Sequence, residues 1–189
     1  MTQPTPQSIW QGFHWSFFIN VQGLIISLRR FEAQLALGNL DQAQTELSTA
    51  TKLLLASGAS MELAGSFSRE AYQMVRESMT PPQVRATNFS GLMSWEHAAL
   101  MQIWKRLRPI FATLPNDLQP QHQKFIQAYF SLVDAHKGVC EKFGGTTDGS
   151  LRFEQNSAIA TLDQFSLSRW QLIDPTHSTI SKCPFSYKH

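Results

Sequence analysis

At 189 residues with 16% charged and 11% aromatic side chains, the chain can bury a sizeable core in one domain, residues 1–189, without disulfides or structural metal. A net charge of +2 with Lys and Arg dispersed excludes a nucleic-acid footprint, and two cysteines in unlike contexts, Cys140 and Cys183, exclude a disulfide framework and fit a reducing, cytoplasmic compartment. The low charge leaves few solvated positions, which points to a homo-oligomer contact, a ligand-lined cavity or a rich ordinary core.

Residues 1–7 carry two prolines and read as a flexible, extended arm. From Ser8, apolar residues Ile9, Phe13, Phe17, Val21, Leu24, Leu28, Phe31 and Leu35 recur at helical spacing until Gly38-Asn39 stops them. The apolar run from Phe13 to Leu28 is interrupted by His14, Ser16, Asn20, Gln22 and Gly23. It is too short and too polar to span a membrane, and no basic stretch precedes it as in a signal peptide. A second amphipathic helix is expected from Leu40 to Ala56, ending at Ser57-Gly58. A third starts near Ser60 and stops before Thr80-Pro81-Pro82, because a residue ahead of proline is pushed out of helix.

Residues 80–93 form a long loop that holds Phe89, Leu92 and Met93 and so packs against something. Ser94 then N-caps a fourth helix with Glu96 in its first turn, kinked or ended near Pro109. Pro115-Asn116-Asp117 marks a turn, and Pro120 suits the first turn of a fifth helix running through His136 and Cys140 to Phe143. A glycine-rich loop, Gly144–Ser150, follows. A sixth helix is expected over Phe153–Leu172, then an irregular tail over 175–189. No strand alternation or internal repeat appears, so the fold class is all-α, a bundle of about six helices.

His136 and Cys140 lie four residues apart on one helical face, about 6 Å along the axis at about 1.5 Å rise per residue. Phe125, Tyr129, Leu132 and Phe143 share that stripe, so the pair points into an apolar interior. An imidazole able to bind iron, with a thiol one turn on to reach a ring edge, suits haem, with or without a single thioether link. His97 is a second candidate. The fourth and fifth helices are joined by a short connection and pack antiparallel, which sets His97 in the first turn of one level with His136 in the last turns of the other. The helix dipole also disfavours charge on His97 and keeps a nitrogen free for metal.

Two rivals stand beside haem. The ligand types match zinc, although His-x-x-x-Cys without Cys-x-x-Cys is a poor structural zinc pattern. A Cys140 nucleophile activated by His136 has possible geometry but no orienting third residue. His122, at the opposite end of the hairpin, is assigned to the surface; His177 and His189 in the tail carry no signal, and Cys183-Pro184, which can present a thiolate to haem iron, reads as a turn and is left out of the site.

His136-Lys137-Gly138-Val139-Cys140, followed by Gly144-Gly145-Thr146-Thr147-Asp148-Gly149-Ser150, resembles the haem-binding end of the histidine-ligated haem-dependent aromatic oxygenases, the superfamily of tryptophan 2,3-dioxygenase. It is most similar to the bacterial tyrosine hydroxylase branch, with a histidine, a gap, then His-x-x-x-Cys. Met79–Pro82, Asn88–Gly91 and Glu96-His97 look like that branch's distal segment. The resemblance covers residues 79–152 and implies a tryptophan-dioxygenase-like fold that binds haem between helices and hydroxylates tyrosine or a derivative with O2 or H2O2. His136 would then be the proximal ligand, Cys140 the covalent anchor and His97 a distal ligand or acid/base group. Thr146, Thr147 and Ser150 would hold a haem propionate or the substrate's amino-acid end, Arg152 would clamp a carboxylate, and Trp95, Phe89, Ser90 and Trp104 would line the ring or substrate. The chain is shorter than expected for that branch, and its glycine-rich loop departs from the dioxygenase version. The runner-up function is a non-enzymatic bis-histidine haem protein for electron transfer, sensing or storage; a helical interaction module without cofactor is the third.

Overall fold

Six helices carry the chain, and no strand occurs among the described residues of the computed structural model, which are 3–79, 81–83, 94–143 and 158–176. They are α1 (Pro6–Ala36), α2 (Leu40–Ala64), α3 (Arg69–Ser78), α4 (Trp95–Ala112), α5 (Gln119–Phe143) and α6 (Ala158–Ile173), with a 3-10 turn at Asn116–Leu118. None of them is long and apolar enough to cross a membrane.

Local chemistry explains most of these boundaries. Thr5 Oγ1 accepts from the Ser8 N–H at 3.2 Å, and Pro6 sits in the first turn, where its missing N–H costs nothing. The helix therefore begins ahead of Ser8, inside the expected arm. Gly38, at φ +74°, takes the left-handed conformation that ends α1. Ser94 accepts from the His97 N–H at 3.2 Å and opens α4 as the sequence suggests. Pro109 stays inside α4, which runs on to Ala112; near a helix end the loss of one backbone bond is tolerated.

The stop expected at Ser57-Gly58 does not occur, and the third helix does not begin near Ser60. α2 continues to Ala64, and α3 starts at Arg69 behind the cap Ser68, whose hydroxyl accepts from the Ala71 N–H. The reason is tertiary. A Cβ on Gly58 would lie 3.4 Å from the Leu132 Cα, so the glycine permits a close crossing of α2 over α5. Ser57 and Ser60 are buried but donate to the Leu53 and Ala56 carbonyls one turn back, so neither hydroxyl is orphaned.

α1 and α2 pack along each other and α2 along α5, with α4 against α1 and α6 across α4 and α5. Phe111 anchors the core. Its ring lies 6.1 Å from Phe31, 6.1 Å from Phe125 and 4.5 Å from His122. Each such fully buried ring contributes about 1.5–3 kcal/mol. His122 is not at the surface, where its place at the opposite end of the α4–α5 hairpin suggests it should lie. It is 3% exposed, stacks on Phe111, and its Nε2–H donates to the Ile173 carbonyl at 2.7 Å. The last turn of α6 covers this start of α5, which the local pattern could not reveal.

The backbones of α4 and α5 stand apart and meet through large rings in antiparallel order. Two turns back along α4, from Phe111 to Trp104, match two turns forward along α5, from His122 to Tyr129, where the rings meet at 5.5 Å. Two further turns in each direction reach His97 and His136.

Candidate functional site

Three helices bring a cluster of nitrogen groups to that end of the bundle. α5 supplies His136, α4 supplies His97, and α6 places Arg169 against His97 and close enough to His136 to repel its charge. A guanidinium only donates, so the 3.1 Å contact between Arg169 Nη2 and His97 Nε2 fixes Nε2 of His97 as an acceptor. α6 is set in place by several contacts to α5. Tyr129 Oη donates to the Ser166 carbonyl at 3.1 Å, Phe130 and Trp170 meet edge-on at 5.4 Å, and Lys137 pairs with Asp163.

α1 adds a fourth group, His14, which the sequence reading passed over. Trp10, one turn earlier, packs with Ile9, Phe67, Tyr72, Val139 and Phe143, tying the start of α1 to the end of α5. The Trp10 carbonyl lies 2.8 Å from His14 Nδ1 and, being only an acceptor, puts the proton there; the two rings lie 4.2 Å apart, tilted at 36°. His14 Nε2 is left with a lone pair, on a ring close enough to His136 to repel its charge.

Electrostatics follow from this crowding. His136 keeps part of its surface accessible, yet dense packing strips water from the ring. Desolvation first, and repulsion from His14 and Arg169 second, lower its pKa to about 4. No hydrogen bond to its ring forms among the described residues. It is therefore a neutral imidazole with a lone pair to offer. Burial, and secondarily Glu141, raise the Cys140 pKa, so its thiol stays protonated. Burial also raises the Tyr129 pKa and lowers that of Arg169.

The same burial makes the apo chain acid-sensitive. His14, His122 and His136 all have folded pKa values below 6.5, each chiefly through desolvation. Unfolded histidines then bind protons first, so stability is full above about pH 6.5 and falls as pH drops towards about 4. Urea midpoints measured across this window should decline; a flat profile would contradict the buried, neutral imidazoles.

The remaining candidates divide into three groups. Trp95 is 64% exposed, whereas Trp104 is 2% exposed in the core with its ring edge-on to Tyr129. Phe89, Ser90, Thr146, Thr147, Ser150, Arg152, His177, Cys183 and His189 lie outside the described residues. Bearing on the zinc alternative, no group of three or more His, Cys, Asp or Glu able to hold a metal ion gathers among the described residues. A shallow groove lined by Glu62, Gly65, Asp134, Gly138 and Lys142 opens on the opposite side of α5 from His136 and Cys140.

The chain is all-α, and its helices bring imidazoles, a guanidinium and a thiol to one end of the bundle. Its relatives are more specific. Residues 2–121 match the family described as SfmD 3-methyl-L-tyrosine peroxygenase, and the chain belongs to that family. It is 27% identical over 160 residues to the 3-methyl-L-tyrosine peroxygenase of Streptomyces lavendulae, covering 82% of this chain and 44% of that protein. The chain thus spans less than half of its relative's length. The family match includes His14 and His97 and stops before His136, Cys140 and Arg169. No solved structure matches it.

Proposed function

We propose that this chain is a haem-dependent peroxygenase of the histidine-ligated aromatic oxygenase type, hydroxylating the ring of tyrosine or a tyrosine derivative with hydrogen peroxide. The observation that carries this reading is the meeting of His97, Arg169 and His136 at one end of the bundle, in a chain whose relative bears a tyrosine-peroxygenase name.

The residues fit haem. His136 is neutral, part-accessible and free of hydrogen bonds to the described residues, and Cys140 offers a protonated thiol one turn further on. His136 would hold the iron and Cys140 would anchor the ring edge. Bound there, haem supplies the iron chemistry that transfers oxygen from peroxide to an aromatic carbon. His97 is placed to exchange its Arg169 contact for a proton of hydrogen peroxide, accepting it at Nε2, while the Arg169 charge steadies the negative charge that develops. His14 bears on His136 from the α1 side through its charge, helping to keep that imidazole neutral. A closed bis-histidine carrier needs the His97 lone pair for iron; its engagement by Arg169 favours an open position and hence an enzyme. The exposed stripe Trp15, Ile19 and Ile26 on α1 supports a homo-oligomer.

The test is to purify the chain from cells supplied with haem, record its absorption, and add 3-methyl-L-tyrosine with hydrogen peroxide. A Soret band and a product one oxygen atom heavier are expected. A colourless protein would remove the haem reading, and a coloured one that leaves every tyrosine derivative unchanged would remove the enzymic one.

A further inference from the structure

Arg169 is the cation in this cluster that has no matching anion among the described residues. The ion pairs of the described residues join Arg30 to Glu46, Arg106 to Glu32 and Lys137 to Asp163, and none of them includes Arg169. Its Nη2 donates to His97, its guanidinium carbon lies 4.9 Å from the centre of the Phe165 ring, and its buried Nε–H has no acceptor among the described residues. Holding a guanidinium in such a place is costly unless hydrogen bonds and an opposite charge complete it. Its planar fork of donors matches a carboxylate in shape as well as charge.

We propose that Arg169 is the receptor for a ligand carboxylate, held beside His97 at the mouth of the His136 site. The proposal rests on the haem peroxygenase reading, which offers two carboxylate sources: the amino-acid end of the substrate and a haem propionate. It moves the clamp expected at Arg152 to α6.

Two arms separate those sources. In the first, the purified chain is titrated with L-tyrosine, 4-hydroxyphenylpropanoate and tyramine, which lacks the carboxylate. In the second, haem is titrated into the apo chain. Both are run on the wild type, Arg169→Leu and Arg169→Lys, the last keeping the charge without the fork. Losing a charged hydrogen-bonded pair corresponds to roughly 10- to 100-fold in affinity. If the substrate is held, Arg169→Leu weakens tyrosine and 4-hydroxyphenylpropanoate by about that factor, leaves tyramine unchanged, and Arg169→Lys recovers part of the loss. If a propionate is held, the haem titration moves instead.

Apo stability gives a third readout. Removing a half-buried charge with no anion among the described residues should raise the melting temperature of apo Arg169→Leu, whereas a purely structural arginine would lower it. Unchanged affinities in both arms together with a lowered melting temperature overturn the proposal and leave the haem reading standing. A wild type that takes up no haem but still prefers the two carboxylate ligands over tyramine overturns the haem reading and leaves Arg169 as the receptor. A wild type that binds neither defeats both.

Discussion

His136→Ala should give a folded, helical protein that no longer retains haem. The imidazole makes no hydrogen bond to the described residues, so its removal orphans no buried partner, and it relieves the repulsion from His14 and Arg169. Apo stability should therefore hold or improve. Haem affinity should fall by at least about a hundredfold, or about 2.8 kcal/mol at 1.4 kcal/mol per decade, since the ligand bond itself is lost. Soret absorbance after gel filtration reads the outcome, with circular dichroism confirming the fold. Undiminished haem with an unshifted band would move the proximal role elsewhere, His14 being an imidazole whose Nε2 makes no hydrogen bond to the described residues.

Cys140→Ala should have the second largest effect, on how haem is held more than on whether it binds. A thiol adds across a vinyl group without an oxidant: sulfur bonds to one vinyl carbon and the hydrogen goes to the other. The step needs a thiol beside the ring edge, and a protonated Cys140 one turn beyond His136 is placed to provide it. The intact mass of the wild type should exceed its chain mass by one haem, and acidified organic solvent should leave the colour on the protein. The variant should keep its Soret band and lose the colour to the solvent. Identical extraction from both would rule out the thioether.

The all-α class and the caps at Ser94 and Gly38 were legible in the sequence. Each rests on local chemistry or on a period of 3.6 along a single helix. His14 and Arg169 were not. Each is a single polar residue on a helix far from α5 in sequence, and only packing makes it a neighbour of His136. Ser57-Gly58 misled for a related reason, since the pair that ends many helices is also the pair that lets two helices touch. His122 sits among Gln119, Gln121, Gln123 and Lys124 and reads as surface; Gln121 is buried too, donating to Thr51 Oγ1 at 2.9 Å.

The close crossing at Gly58 bears on how the site can respond to an arriving ligand. α2 presses directly on the α5 backbone at Leu132, one turn before His136, with the Ala135 Cβ also in contact range. A helix seated backbone to backbone has little slack, because close-packed interiors resist sub-ångström displacement. α5 therefore behaves as an anvil that fixes where His136 stands before anything binds. α6 meets its neighbours mainly through side chains and backbone carbonyls, at Ser166, Trp170 and Ile173. Adjustment to a ligand then falls to the α6 wall, and Arg169, rather than the helix that holds His136, should be the part that moves.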